Sequence, residues 1–441
     1  MKKYSDPLNV TIAELHEDGY GLADSINGRL AIPGTLAGEA VLVRPMKRKK
    51  GLRQAELLSV SQAAPQRVSP DCSVAGRCGG CSFQHFESEA QILFKQSRLL
   101  RLLDGLNPEK ILPAIRSVSS GYRVKARLGV KFVLKKDRVM VGFREKQGGY
   151  ITDMSHCSVL APPFGDLIEE FAELIGSLSA PAAIPQLELA RGDEVAAVII
   201  RHLSPLTDDD CSKLRVFGEE HALHIYLQPD DLNSVWKLYP ESGEERLYYD
   251  LVDHHLSFSF HPLDFVQVNP AVNRQLIDRV LSLLAINKDD RVLDLFCGIG
   301  NFSLPMARRA ETVHGLDSSA SGIARAIENA NKNHVVNATF AIEDLFFGKR
   351  IAKEASAVKP LFTGYNKVLV DPPRTGALEV MNGLVNSQVE RVVYVSCHPE
   401  SLARDASVLC SGGRFHLVST GVVDMFPQTA HVESIACFVR S

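Results

Sequence analysis

The sequence has no uninterrupted apolar run long enough to span a membrane, although 45% of its 441 residues are hydrophobic. Its basic start, Met1-Lys2-Lys3, is not followed by the apolar stretch that a secretion signal requires. We therefore expect a cytoplasmic protein without a membrane partner. In that compartment the nine cysteines are expected to be metal ligands, nucleophiles or buried thiols, and not disulfides.

The chain also lacks a large net charge, because 49 Lys and Arg residues nearly balance 52 Asp and Glu residues. Positive charge is nevertheless clustered. Residues 44–53 carry six Lys and Arg and no acid, and residues 95–150 hold fourteen Lys and Arg against four Asp and Glu. Such clusters suit a polyanion, but a solvated basic face is an equally good interpretation from charge alone.

The length of the chain predicts about two or three domains, because a single hydrophobic core rarely grows to this size. In residues 6–60, short alternating strands broken by glycines predict a small β-barrel. The segments at residues 18–23 and 32–39 resemble the TRAM domain, an OB-like RNA-binding barrel. We therefore predict an N-terminal barrel at residues 1–62.

The rest of the chain predicts a multidomain α/β protein. Residues 63–262 form a predicted central mixed domain whose topology cannot be derived, apart from a helix at residues 87–104 that we expect to pack on the catalytic domain. After Phe265, short buried strands alternate with helical stretches. This alternation predicts a parallel sheet covered on both faces, and hence a Rossmann-like domain at residues 263–441.

A cofactor pocket is predicted where Gly298 and Gly300 follow a strand and open a helix, a pattern shared by S-adenosylmethionine and dinucleotide sites. The third glycine that a pyrophosphate requires is missing, because Ser303 stands there. Asp317 and Asp344 follow the next two strands, at the edge where ligands bind in such sheets. The alternative is that these acids are helix caps. The pattern favours S-adenosylmethionine, which has no phosphate.

The motif at residues 371–374, Asp-Pro-Pro-Arg, closes the predicted pocket. It lacks the aromatic residue that amino-directed methyltransferases place after two prolines, and it lacks the adjacent cysteine typical of cytosine-C5 enzymes. Cys397 ends a later strand, so a thiol is placed where a methyl group would be transferred. Uracil needs such a thiol, because its C5 becomes nucleophilic only after a thiolate adds to C6. A buried structural thiol is the alternative reading of Cys397.

Two further features leave alternatives open. After methyl transfer a proton must leave C5, and either Glu433 in a dry pocket or His431, with its near-neutral ordinary pKa, is a suitable base. The second feature is a set of four cysteines, enough for a zinc ion or an iron–sulfur cluster, and spacing alone does not choose between them. These cysteines are Cys72, Cys78, Cys81 and Cys157.

Five segments together resemble the RNA uracil-C5 methyltransferase family, namely residues 265–269, 294–302, 371–374, 395–397 and 424–433. The resemblance implies S-adenosylmethionine as methyl donor, Cys397 as the nucleophile and Glu433 as the base. It implies a [4Fe–4S] cluster on the four cysteines, with zinc as a minor alternative. It also implies cofactor and substrate contacts from Gln267, Phe296, Asn301, Asp317, Asp344 and Asp371. Asp317 and Asp344 differ from the commonest residues of the family, but both keep an acceptor.

The TRAM-like start and the cysteines favour the branch of this family that methylates a uridine in 23S ribosomal RNA. We expect RNA as the partner, no DNA, and a monomer. Three alternatives remain. A transfer-RNA uridine C5-methyltransferase shares the chemistry, a radical methylthiotransferase needs a three-residue first gap where Cys72 and Cys78 leave five, and a non-catalytic RNA chaperone needs neither Cys397 nor Glu433.

Overall fold

The computed structural model describes residues 6–26, 28–49, 52–346 and 359–441. Its first sheet is built from β1 (Leu8–Thr11), β2 (Glu14–Leu15), β3 (Tyr20–Ala23), β4 (Leu30–Pro33), β5 (Ala40–Lys49) and β6 (Leu52–Gln62). Their order is β1-β5-β6-β4-β3-β2. β1 and β2 stand at opposite ends of this order, yet only Ile12 and Ala13 separate them in the chain. One continuous stretch, residues 8–15, therefore forms both edge strands of this sheet.

This N-terminal sheet has a small apolar core of its own, in which Ile32, Val41 and Val43 are buried. The assignment of the sheet as a TRAM-type barrel stays a prediction. The basic run at residues 44–53 falls on β5 and β6, and its Lys50 lies outside the described residues.

Helix α1 (Ser88–Leu102) and the short strand β7 (Lys110–Ile111) come next. The central sheet then contains β8 (Lys125–Val133), β9 (Arg138–Gly142), β10 (Gln186–Arg191), β11 (Ala196–Arg201), β12 (Leu223–Gln228) and β13 (Trp236–Tyr239). Its order is β13-β12-β11-β10-β8-β9. Helix α2 (Ile168–Gly176) packs against β9, and α3 (Asp208–Glu220) packs against β12 and β13. β13 and β9 are thus the two edges of this sheet.

The C-terminal part alternates strands and helices as predicted. A hairpin comes first, followed by a long series of strands and helices. The elements are β14 (Leu247–Leu251), β15 (Leu256–Phe260), α4 (Pro270–Leu284), β16 (Arg291–Leu295), α5 (Ser303–Ala307), β17 (Thr312–Asp317), α6 (Ala320–Lys332), β18 (Ala338–Ile342), β19 (Lys367–Val370), α7 (Leu378–Val385), β20 (Arg391–Ser396), α8 (Pro399–Cys410), β21 (Phe415–Val423) and β22 (Glu433–Arg440).

The C-terminal sheet has the order β18-β17-β16-β19-β20-β22-β21-β7. The strands from β18 to β20 are parallel, and β22 runs antiparallel to β20. The central strands β16, β19 and β20 are almost wholly buried, because helices cover both faces of such a sheet, whereas the edge strand β18 has no fully buried residue. The strand order reverses between β16 and β19, and ligands bind at the carboxyl ends of strands at such a point. The Rossmann-like part of the fold prediction is confirmed.

Helix α1 belongs structurally to this C-terminal sheet, although it lies far away in sequence. It packs against β21 and α8, and its residue Leu99 and the following Leu103 are buried in the same apolar core as β16, β19 and β20. β7 pairs with β21 as the last strand of the sheet. The segment before the central sheet therefore completes the C-terminal unit, while the domain limits 1–62, 63–262 and 263–441 stay predictions.

Within the described ranges, no helix is both long and apolar enough to cross a membrane.

Candidate active site

The loop after β16, the glycine loop, has an unusual backbone. Phe296, Gly298 and Gly300 all have positive φ, at 67°, 54° and 86°. Glycine tolerates this conformation, whereas a phenylalanine in it is strained, and such strain concentrates at functional sites. A side chain added at Gly298 would meet no atom within 4 Å, so the loop borders open space at the switch point of the sheet.

Asp317 ends β17 and holds this loop in place. Its Oδ2 accepts a hydrogen bond from the N–H of Gly298 at 2.9 Å, and its Oδ1 accepts from the N–H of Ser319 at 2.7 Å. Each carboxylate oxygen can accept a second hydrogen bond. The carboxylate is therefore a structural link between two strand ends that keeps further acceptor capacity, as a ribose-binding acid needs.

The other predicted cofactor contacts occupy different situations. Asp344 is exposed after β18 and accepts a hydrogen bond from the N–H of Phe346 at 3.1 Å. The ring of Phe346 contacts that of Phe296, with centroids 5.7 Å apart. Gln267 is half-buried on the segment before α4. Asp344 and Phe346 thus lie next to Phe296 of the loop after β16, whereas the place of Gln267 in the pocket stays a prediction.

Asn301 is more constrained than the sequence indicated. Its Oδ1 accepts hydrogen bonds from the Tyr249 hydroxyl at 2.9 Å and from Asn273 Nδ2 at 3.0 Å, and its Nδ2 donates to Asn273 Oδ1 at 3.0 Å. One amide hydrogen remains for a ligand. The side chain mainly fixes the glycine loop to β14 and α4.

A buried and a half-buried carboxyl group, Asp294 and Asp371, lie at the carboxyl ends of the switch-point strands β16 and β19. Asp294 in β16 is fully buried and accepts a hydrogen bond from the Ser303 hydroxyl, and burial raises its pKa to about 8. Burial, followed by the charge of Asp317, raises the pKa of Asp371 to about 7. Asp294 was part of a predicted motif but not a predicted site residue. Its signal was an acid inside an otherwise apolar strand.

Cys397 and Glu433 face each other because of strand register. β20 and β22 pair antiparallel with Ser396 opposite Ser434, so the next positions outward are Cys397 and Glu433. The thiol of Cys397 lies 4.0 Å from the carbonyl oxygen of Pro372. Burial, then the charges of Glu433 and Asp371, raise the pKa of Cys397 to about 11. Both residues were predicted from the sequence, and the sheet brings them together.

Glu433 is a buried acid with the properties of a general base. Its side chain is nearly inaccessible, and burial, followed by the charge of Asp371, raises its pKa to about 8. A general base works best when its pKa lies near the working pH. Glu433 can therefore take a proton in the pocket and release it again near neutral pH.

His431, the rival base, is already engaged. Its Nδ1 lies 3.2 Å from a guanidinium nitrogen of Arg374, which can only donate, so Nδ1 accepts and Nε2 carries the hydrogen of the neutral ring. Nε2 lies 3.9 Å from Glu433 Oε1. Burial and Arg374 lower the pKa of His431 to about 4. His431 thus has no free lone pair, and the geometry favours Glu433 as the base.

A buried ion pair next to Glu433 was missed from the sequence. Lys95 of α1 is fully buried and donates to Asp424 Oδ1 at 2.5 Å and to the carbonyl oxygen of Phe426 at 3.2 Å. Its charge acts to lower the pKa of Glu433. The available signal was a lysine within the apolar stripe of α1, between Ile92 and Leu99.

We expect the activity of Lys95→Met to increase at a higher pH than that of the parent protein. Removing the cation raises the pKa of Glu433, and the unpaired Asp424 carboxylate acts in the same direction. Breaking such a buried pair also costs about 3–5 kcal/mol of stability. The measurement is the pH dependence of methyl transfer together with thermal unfolding. Arg101→Met, an exposed change on the same helix, is the control, and a pH profile that matches the parent's would contradict the role of Lys95.

The four predicted cluster cysteines lie near one another. Cys78, Cys81 and Cys157 are buried and Cys72 is half-buried, and the pKa of each buried thiol is raised by burial and by the charge of at least one other cysteine of the set. Two N–H donors point at sulfur, from Gly80 to Cys78 at 3.4 Å and from Gln84 to Cys81 at 3.5 Å.

Thiolate ligands with N–H donors at sulfur fit an iron–sulfur cluster. A single metal ion fits less well. In the described part of the chain, no three His, Cys, Asp or Glu side chains converge closely enough to hold one. The sulfur ligands of a cubane lie farther apart than those of one ion, so cysteines placed around a cluster need not converge in this way. The [4Fe–4S] cluster stays a prediction.

The loop of these cysteines is attached to the segment that precedes the candidate base. The N–H groups of Ser82 and Phe83 donate to the carbonyl oxygen of Gln428 at 3.0 and 2.9 Å. The N–H of Ala430 donates to the Ser82 hydroxyl at 2.8 Å. The cysteine loop therefore positions residues 424–430, which lead into His431 and Glu433.

Comparisons with known proteins bear on the family to which the chain belongs. The family model described as tRNA (Uracil-5-)-methyltransferase matches residues 241–440. A Hahella chejuensis protein named 23S rRNA (uracil(1939)-C(5))-methyltransferase RlmD is 41% identical, covering 99% of this chain and 98% of that protein. A protein of the same name from Legionella pneumophila is also 41% identical and covers 100% of both chains.

Among solved structures, the chain resembles the Pyrococcus abyssi tRNA (uracil-54, C5)-methyltransferase in complex with S-adenosyl-L-homocysteine. The TM-score is 0.76 at 26% identity, over 98% of this chain and 99% of that chain. Full-length similarity of this kind, together with the facing cysteine and glutamate beside a glycine loop, confirms the predicted family. The chain belongs to the family of RNA (uracil-C5)-methyltransferases.

Proposed function

We propose that this protein methylates C5 of a uridine in 23S ribosomal RNA, in the cytoplasm and as a monomer, and that its target corresponds to uridine 1939 named for its relatives. The observation that carries the proposal is the pairing of β20 and β22, which sets Cys397 opposite Glu433 beside the glycine loop. A nucleophilic thiol and a buried base are the two groups that this reaction requires.

The proposed reaction is a sequence of bond changes on the uracil ring. Bound S-adenosylmethionine supplies an electrophilic methyl group. Cys397 gives its proton to water and its thiolate bonds to C6, which moves the electrons of the C5–C6 double bond to C5. C5 then takes the methyl group, which leaves S-adenosylhomocysteine. Glu433 removes the remaining C5 proton, and the electrons of that bond expel the sulfur from C6. Because the pKa of Cys397 is about 11 before RNA binds, its thiolate must form once the substrate is in place.

We assign the cofactor site to the residues around the glycine loop. The open space at Gly298 and the remaining acceptor capacity of Asp317 support this assignment. Gln267, Phe296, Asp344 and Asp371 are proposed as further cofactor or substrate contacts, joined by Gly300. Asn301 is proposed to contribute mainly by holding the loop, because most of its amide is already bonded.

We assign RNA binding to the N-terminal sheet, as a TRAM-type barrel at residues 1–62, and to the central domain at residues 63–262. Domain 263–441 carries the chemistry. The clusters of Lys and Arg at residues 44–53 and 95–150 support this assignment, because phosphate contacts supply much of the affinity for RNA. A uridine must leave its stack to reach Cys397, so base flipping from a loop is expected.

The test uses 23S ribosomal RNA and transfer RNA as competing substrates with labelled S-adenosylmethionine. We expect methyl transfer to the ribosomal RNA, with mass spectrometry locating 5-methyluridine at the position that corresponds to uridine 1939. Methylation of the transfer RNA instead would favour the alternative substrate. Failure to methylate either RNA, with the protein folded and S-adenosylhomocysteine bound, would exclude the proposed activity.

We also propose that Cys72, Cys78, Cys81 and Cys157 hold a [4Fe–4S] cluster whose role is structural. Polar methyl transfer needs no electrons, and the cysteine loop is bonded to the segment that precedes Glu433. A cluster there would supply a rigid cross-link between Cys157 and the loop.

We expect Cys81→Ser to lower the thermal unfolding temperature and the affinity for ribosomal RNA, while affinity for S-adenosylhomocysteine is kept. Losing the cross-link releases the loop that contacts Gln428, whereas the glycine loop is held by Asp317, Asn273 and Tyr249. Cys211→Ser, at a half-buried thiol outside the set, is the control. If Cys81→Ser keeps the unfolding temperature and RNA affinity of the parent, the structural role is wrong.

A further inference from the structure

A groove of about 480 Å³ lies beside the edge strand β13 of the central sheet and shares no residue with the candidate active site. Leu203, Leu206, Leu227 and Trp236 form its apolar wall. Leu203 is 63% exposed and Trp236 is 48% exposed. Single exposed apolar side chains are common, but several that line one groove mark a place where something binds.

His202 adds an unsatisfied hydrogen-bonding atom to this groove. The residue is 8% exposed, and its Nδ1 lies 2.8 Å from the carbonyl oxygen of Ser204. A carbonyl only accepts, so Nδ1 carries the hydrogen and Nε2 is left with a lone pair. Nε2 is buried and has no hydrogen-bond partner within the described ranges. A buried acceptor without a donor is costly to the folded state.

The surroundings of the groove are acidic. Residues 203–245 contain ten Asp and Glu against three Lys and Arg. Asp208, Asp209, Asp230 and Asp231 are exposed next to the groove-lining segments. The ammonium of Lys237 is turned to the carbonyl oxygens of residues 242–244, at 3.0 to 3.3 Å. This charge is opposite to that of residues 95–150 and disfavours RNA as the occupant.

We propose that the groove binds a basic, extended peptide segment of a partner protein, in which Lys or Arg alternates with aliphatic residues. The aliphatic side chains pack against Leu203 and Trp236, and the cations lie against the acidic rim. The proposed RNA-binding surface is then basic, and this proposed peptide-binding surface is acidic.

Trp236 makes a direct test possible, because it is the single tryptophan of the chain. The probe is an octapeptide that alternates Lys and Leu, titrated into the full-length protein while tryptophan emission is followed. We expect a saturable blue shift that weakens with added salt, and no shift from the matching peptide that alternates Glu and Leu.

Three variants locate the binding surface. Leu203→Ser should weaken binding of the Lys-Leu peptide about tenfold, because it removes buried apolar area. Asp230→Lys should weaken binding and flatten its salt dependence. Leu134→Ser, at an 84% exposed leucine in the turn before β9 at the opposite edge of the sheet, should change nothing.

Other outcomes overturn the proposal. An emission shift produced by oligouridine and not by the peptide would make the groove an RNA surface. Self-association in sedimentation that Leu203→Ser abolishes would make the occupant a second copy of the chain. An emission that does not respond to the peptide, in a protein that unfolds cooperatively, would show that the groove binds no basic peptide.

Discussion

Cys397→Ala is expected to lower methyl transfer by roughly four orders of magnitude, while the variant still binds RNA and S-adenosylhomocysteine. Without sulfur at C6, the C5 carbon of uracil remains too poor in electrons to attack a methyl group. The substitution removes a half-buried side chain at a strand end, so the fold should tolerate it. A loss confined to the chemical step separates a nucleophile from a merely structural thiol.

The most direct measurement uses RNA that contains 5-fluorouridine. Fluorine cannot leave C5 as a proton does, so the sulfur–C6 bond persists and the protein–RNA adduct survives denaturing electrophoresis. We expect the adduct with the parent protein and with Cys410→Ala, a control at a half-buried thiol of α8, and none with Cys397→Ala. An adduct that persists in Cys397→Ala would assign the nucleophile to another residue.

Much of this site could be predicted from the sequence because its motifs are local. The glycine loop at residues 298–300 follows directly on β16, and Asp317 ends the next strand. Backbone conformation and hydrophobic pattern act over a few residues, so short segments carry the signal. In the central region strands could be predicted, but their order in the sheet could not. One reason is that β11 and β12 are parallel neighbours, whereas the other pairs in that sheet are antiparallel.

The features of the site that could not be predicted from the sequence depend on contacts between distant segments. The facing of Cys397 and Glu433 results from the register of β20 on β22, and a slip of one residue would turn one of the two side chains to the other face of the sheet. Lys95 reaches Asp424 across 329 positions of sequence. Asn301 was predicted as a ligand contact, and only the structure shows how far its amide is committed to Asn273 and Tyr249.

Glu433→Gln should lower turnover about 10²–10⁴-fold and should trap the adduct on ordinary uridine RNA. Glutamine keeps the shape of the side chain but cannot take the C5 proton, so the reaction stops after methyl transfer with sulfur still bound to C6. The measurement is the covalent complex after denaturation, with the methyl group counted by mass spectrometry. His431→Gln is the comparison, and if it traps the adduct while Glu433→Gln turns over normally, the base is His431.

The same substitution should stabilise the protein at neutral and basic pH. Burial raises the pKa of Glu433 to about 8, above its usual 4.5. The folded state therefore holds this proton more tightly than the unfolded state does, and stability falls as the pH rises from the ordinary value through about 8. Glutamine carries no such proton, so the unfolding temperature of Glu433→Gln should exceed that of the parent at pH 8 and approach it at pH 5. An unfolding temperature below the parent's at both pH values would show that Glu433 is held as a stabilising anion, and the pocket would then not keep a poised base.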